Sequence, residues 1–158
     1  QDSSKEYLPW VIETSGGVDR AALFFLVDAY TEDEGSPRSS PRGEAGAGGA
    51  GRILLKLHPK LAPIKVAVFP LLANKPDLVE KAQEIFDQLK EEFMVVYDGR
   101  GNIGGRYASQ DEIGTPFCVT VDFQSLEDET VTVRDRDTTK QDRIKVEELK
   151  DYLHGKMM

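Results

Sequence analysis

The chain has 158 residues, with 28 Asp and Glu against 20 Lys and Arg, for a formal net charge of −8. At 39% hydrophobic and 30% charged residues, its composition is that of a globular protein, not of a disordered or membrane-embedded chain. The acid excess disfavours indiscriminate, phosphate-driven binding to nucleic acid. No apolar run approaches the roughly 18 residues of a membrane span, and the polar start QDSSKEY does not read as a signal peptide. Cys118 is the only cysteine, which excludes an intrachain disulfide and a cysteine-based zinc site. It predicts a small buried residue inside a strand, in a reducing, cytoplasmic setting.

Residues 8–12 (LPWVI) form a compact apolar run that predicts a strand, broken by Thr14-Ser15-Gly16-Gly17. A helix is predicted from Val18 to near Tyr30, apolar almost all round through Ala21, Ala22, Leu23, Phe24, Phe25, Leu26, Val27 and Ala29. Such a helix needs a larger core than residues 1–34 can supply, so this segment reads as part of something bigger. Residues 35–52 (GSPRSSPRGEAGAGGAGR) hold no large apolar side chain and predict a flexible linker.

Residues 53–158 read as a mixed α/β domain. A β-branched strand is predicted at residues 64–69, bounded by Pro63 and Pro70. Asn74-Lys75-Pro76-Asp77 then opens a helix, with Asn74 as the cap. Leu78, Val79, Ala82, Ile85, Phe86, Leu89 and Phe93 fall on one helical face. A strand at residues 94–97, a helix at 103–112 and a strand at 117–123 follow. After them come a turn at 125–129, a strand at 130–134, a short strand near 143–146 and a helix at 147–154. Two crossovers imply parallel strands early, and the 125–129 turn implies an antiparallel pair later. The expected fold class is α/β, a mixed five-stranded sheet flanked by about three helices.

Three stretches carry candidate chemistry. In Glu13-Thr-Ser15-Gly16-Gly17-Val18-Asp19-Arg20, small residues let a helix start close to a ligand, and Arg20 can pair bidentately with phosphate oxygens. The alternative for Arg20 is a surface ion pair with Asp19 or Glu13. The second stretch, Asp98-Gly99-Arg100-Gly101-Asn102-Ile103-Gly104-Gly105-Arg106, suggests a dinucleotide loop. Its glycines fall out of frame for one, and close packing of a short helix explains them better. In Thr130-Val-Thr-Val-Arg134-Asp135-Arg136-Asp137, strand alternation puts Arg134 and Arg136 on one side and Asp135 and Asp137 on the other. That pattern is either a solvated strand end with self-cancelling ion pairs or a base-reading rim.

The run VIETSGGVDRAALFFLVDAY resembles motif 3 of class II aminoacyl-tRNA synthetases. The runs YDGRGNIGGRYASQDEIGTPFCVTVDF and TVTVRDRDTTKQDRI resemble the anticodon-binding domain of class IIa synthetases, most nearly those of the glycyl-tRNA synthetase family. The resemblance implies three parts: residues 1–34 from a class II catalytic domain, a linker at 35–52, and an anticodon-binding domain at 53–158. It implies that Arg20 binds ATP phosphates as the catalytic residue, and that Glu13, Ser15 and Gly17 border the glycine substrate. It implies ATP and Mg2+ for the complete enzyme, a homodimer for that enzyme, and no cofactor and a monomeric state for this chain. Motifs 1 and 2 are absent, so the chain alone is expected not to activate glycine.

For the second part, the resemblance implies recognition of the tRNA(Gly) anticodon, whose last two bases are cytosine. Cytosine offers an amino donor beside two acceptors, so carboxylates and arginines are natural readers. Arg134, Asp135, Arg136 and Asp137 are the first candidates, with Arg106 and Glu112 next. No metal ligands are expected. A non-catalytic relative that reuses the same fold to bind tRNA is the alternative, and the intact Glu13, Ser15 and Arg20 argue against it.

Overall fold

The computed structural model describes residues 10–33 and 52–157. The predicted linker lies outside the described residues except for Arg52. Helix α1 (Val18–Ala29) runs directly into strand β1 (Tyr30–Asp33), which pairs antiparallel with β2 (Arg52–Leu55). The register sets Tyr30 opposite Leu55 and Asp33 opposite Arg52. The segment before α1 departs from expectation, because Trp10–Ile12 forms no strand and Trp10 is 99% exposed. A strand requires a partner for its backbone groups, and these residues have none among those described. The apolar face of α1 is also uncovered: Phe24 is 65% exposed, and Ala29 is the one buried residue of the helix.

The main domain has the predicted class. Strands β3 (Val66–Pro70), β4 (Val95–Tyr97), β5 (Phe117–Val121), β6 (Thr130–Asp135) and β7 (Gln141–Lys145) form one sheet in the order β4-β3-β5-β6-β7. The first three are parallel, and β6 and β7 are antiparallel. Every residue of β3 and β5 is buried, as expected for central strands covered on both faces.

Alternation sorts the two faces. Val66 and Val68 of β3 join Val119, Val121, Val131 and Val133 in the larger core. Leu78, Ala82, Ile85 and Leu89 of α2 (Pro76–Leu89) cover it, with Leu149 and Leu153 of α5 (Leu149–Met157). On the opposite face Ala67, Phe69 and Cys118 pack under Ile103 and Tyr107 of α3 (Ile103–Ile113). Burial pushes the Cys118 thiol up to about 12, so it is an inert core group.

Three local expectations are corrected. Helix α2 starts at Pro76 with Lys75 at its N-cap and no side-chain cap, so Asn74 does not cap it. It ends at Leu89, and Phe93 reaches the core from beyond the helix. Phe123 does not end a strand, and residues 125–129 are not a simple turn: Phe123–Asp128 is a short helix, α4. Its cause is a reciprocal cap, in which Asp122 Oδ1 accepts from Ser125 N and Ser125 Oγ accepts from Asp122 N.

Candidate nucleic-acid interface

The two ends of the sheet present different surfaces. Register aligns Val66, Phe117 and Asp135, so the end of β6 lies at the edge where the parallel strands begin. The opposite edge, where β3 and β4 end, carries the loop into α3. The structure therefore divides the sequence candidates. Arg134, Asp135, Arg136 and Asp137 share the first edge with Glu112, which stands exposed on the last turn of α3. Arg106 sits at the second.

Strand alternation holds at β6, but the solvated reading does not. Arg134 and Arg136 are buried, while Asp135 is partly exposed and Asp137 exposed. Arg134 Nη1 and Nη2 donate to the two carboxylate oxygens of Asp111, at 3.0 and 3.2 Å. Its guanidinium lies over the Tyr107 ring, 4.8 Å from the centroid. Asp111 is 1% exposed and also accepts from Arg52 Nε at 2.8 Å. One buried carboxylate thus bridges two guanidiniums, and removing it would strand both charges.

Counting donors separates the three arginines, since a guanidinium has five N–H groups. Arg136 uses all of them: Nε and Nη2 to the Asp137 carboxylate, Nη2 to Leu57 O, and Nη1 to Leu55 O and Gly114 O. Arg106 is 3% exposed, with donors on the carbonyls of Pro70, Gly99, Arg100 and Gly101. Backbone acceptors thus engage Arg106 and Arg136 inside the fold. Arg134 differs. Its Nε–H and one N–H on each terminal nitrogen have no protein acceptor among the described residues.

The carboxylates divide in the same way. Asp135 Oδ1 accepts from the backbone of Asp137 and Thr138 and from the Thr138 hydroxyl, shaping the turn after β6. Asp137 holds Arg136. The Glu112 carboxylate has no partner among the described residues and remains available.

At the second edge, Arg106 gathers the loop after β4 into a cleft of about 280 Å³ lined by Asp98, Arg100, Gly101, Asn102, Gly105 and Ser109. Asn102 caps α3 by accepting from Gly105 N at 2.7 Å, and Gly101 takes a left-handed φ of 63° that suits glycine. The Arg100 side chain reaches out, 92% exposed, and among the described residues it is tied to Asp98. Sequence reading weighed this loop for a dinucleotide and passed over Arg100, Asn102 and Ser109 as polar groups lining one cleft. It also missed Asp111, although an acid one turn after Tyr107 on the sheet-facing side of α3 was a usable signal.

Glu13, Ser15 and Arg20 are exposed, and among the described residues their side chains have no hydrogen-bond or ion-pair partner. Gly17 is the N-cap of α1. No group of three or more His, Cys, Asp or Glu among the described residues could hold a metal ion. No helix among them is long and apolar enough to cross a membrane.

The mixed five-stranded sheet agrees with a family-level match. Residues 65–156 match the anticodon binding domain, and the chain belongs to that family. It is 49% identical over 155 residues to a glycine–tRNA ligase of Clostridium acetobutylicum, covering 98% of this chain and 30% of that protein. A glycine–tRNA ligase of Cutibacterium acnes is 48% identical over 158 residues, covering 100% of this chain and 32% of that protein. One of Rhodopirellula baltica is 48% identical over 155 residues, covering 98% and 27%. The chain spans about a third or less of the length of these curated relatives.

Proposed function

We propose that this chain recognises the anticodon of tRNA(Gly) as the C-terminal part of a glycine–tRNA ligase. The observation that carries the base-reading role is Arg134, whose guanidinium is held by Asp111 and Tyr107 yet keeps three N–H donors. A cation fixed in place, with N–H donors beyond its Asp111 pair, suits the acceptors of cytosine, and the exposed Glu112 carboxylate on the last turn of α3 suits its amino group. Asp137 borders the rim, and Arg106 shapes the α3 cleft, where Arg100, Asn102 and Ser109 meet the rest of the loop.

In the complete ligase, Arg20 pairs with ATP phosphates, and Glu13, Ser15 and Gly17 border glycine, with the carboxylate of Glu13 meeting the ammonium group. The open guanidinium of Arg20 at a helix start supports this assignment. The described residues do not form a cage for Mg2+, so magnesium belongs with the ATP phosphates and no step is assigned to it here. The complete ligase acts as a cytoplasmic homodimer, and this chain alone is a monomer without glycine-activating activity.

Chemical footprinting tests the anticodon assignment. Dimethyl sulfate methylates unpaired cytosine at N3, the atom facing Arg134. The chain is expected to protect the two anticodon cytosines of tRNA(Gly) and to leave other unpaired cytosines reactive. Uniform protection, or none, would overturn the proposal.

A further inference from the structure

We infer that Arg136 is a positioning residue that locks the β1–β2 hairpin, and α1 with it, at a set angle to the anticodon-binding domain. Leu55 and Leu57 belong to the segment leading out of β2, and both carbonyls accept from Arg136, at 3.0 and 2.9 Å. The same guanidinium donates to Gly114 O at 2.7 Å, joining that segment to the C-cap of α3. At 1% exposure it cannot exchange these acceptors for water.

Two further contacts close the joint. Arg52 Nη2 donates to Arg136 O at 3.0 Å, so hairpin and strand end each hold the other's backbone. Lys56 N donates to Ala29 O at 2.7 Å, which ties the last residue of α1 to the clamped segment. Gly114 permits the close approach. Its φ is 87°, and a Cβ there would lie 2.9 Å from Leu55 O. The chain thus meets itself at four places far apart in sequence: Ala29, residues 55–57, Gly114 and Arg136.

The functional weight of the joint rests on the proposed ligase reading. There, α1 carries Arg20 and belongs to the catalytic side, while Arg134, two residues from Arg136, belongs to the reading side. Arg136 then sets how the two sides are presented to one tRNA without touching it.

The test compares Arg136→Lys with the parent chain by hydrogen exchange and by titration with a tRNA(Gly) anticodon stem-loop. Exchange in residues 30–33 and 52–57 is expected to rise by about tenfold or more while β3 and β5 keep their protection. Stem-loop affinity is expected to stay within about twofold. Should Arg136→Lys fail to fold, Arg52→Gln tests the same joint from the partly exposed side, by hairpin exchange alone. In the full-length ligase, Arg136→Lys is expected to lower kcat for tRNA charging by about tenfold with KM for tRNA nearly unchanged.

Unchanged hairpin exchange in a folded variant overturns the joint. A tenfold loss of stem-loop affinity with the hairpin still protected, or a rise in KM at constant kcat, makes Arg136 a tRNA contact instead. If the parent chain does not bind the stem-loop, the ligase reading fails, and hairpin exchange still decides the joint.

Discussion

Arg106, Arg134 and Arg136 are chemically identical side chains with different work, and the acceptors around each one decide which. Arg136 and Arg106 satisfy backbone carbonyls inside the fold, whereas Arg134 is held by one carboxylate and one ring. Asp111 is the residue on which this arrangement turns. Asp111→Ala leaves two guanidiniums in a buried setting without their counter-charge, and is expected to destabilise the domain by about 3–5 kcal/mol. Urea unfolding measures it, and a loss below about 1 kcal/mol would mean the triad is dispensable. The sequence shows the Arg–Asp alternation of β6 and which side each residue takes. It does not show that Leu55 and Leu57, some eighty positions away, cover one of those sides. Alternation is a local property, and donor satisfaction is a long-range one.

Secondary elements were legible where their signal was periodic. Helix α2 shows a full apolar face, and β3 and β5 are β-branched runs between breakers, so all three were predicted close to their bounds. Helix α4 was missed because six residues give less than two turns of periodicity. Its cap was the available signal, in the form Asp-x-x-Ser instead of the commoner Ser/Thr-x-x-Glu. Trp10–Ile12 form no strand for the opposite reason, since composition alone does not provide a neighbouring strand, and residues 8 and 9 of that run lie outside the described residues.

The α4 cap also carries a pH dependence. The Arg143 guanidinium, bonded to both oxygens of Asp122, is the main cause that pulls this carboxyl down to about 2, helped by Ser125. A depressed carboxyl stabilises the fold above its ordinary value of 3.8, and that contribution fades as pH falls through about 2. Arg143→Gln is expected to move the Asp122 titration up toward the ordinary value. Carboxyl NMR titration reads the change directly, and an unmoved midpoint would contradict the assignment of the shift to Arg143.

For the molecule as a whole, class and layout were readable because a mixed sheet with helices on both faces follows from the order of elements. Composition marks residues 35–52 as a break; β1, before it, pairs with β2, after it, and Arg52 ties that hairpin to Asp111. The apolar face of α1 is a second molecular feature: among the described residues nothing covers Phe24, which is 65% exposed. Charge is the other molecular property. A protein of net charge −8 gains little from releasing counterions along an RNA backbone, so the proposed anticodon recognition relies on base contacts.

The most direct measurement is equilibrium binding of two anticodon arms, one ending its anticodon in two cytosines and one with both replaced by uracil, at several salt concentrations. At least about a thirtyfold preference for the cytosine arm is expected, corresponding to about 1 kcal/mol or more for each of the two bases, with a shallow dependence on salt. Equal affinity for both arms, with a steep fall as salt rises, would show phosphate-driven binding and contradict the account.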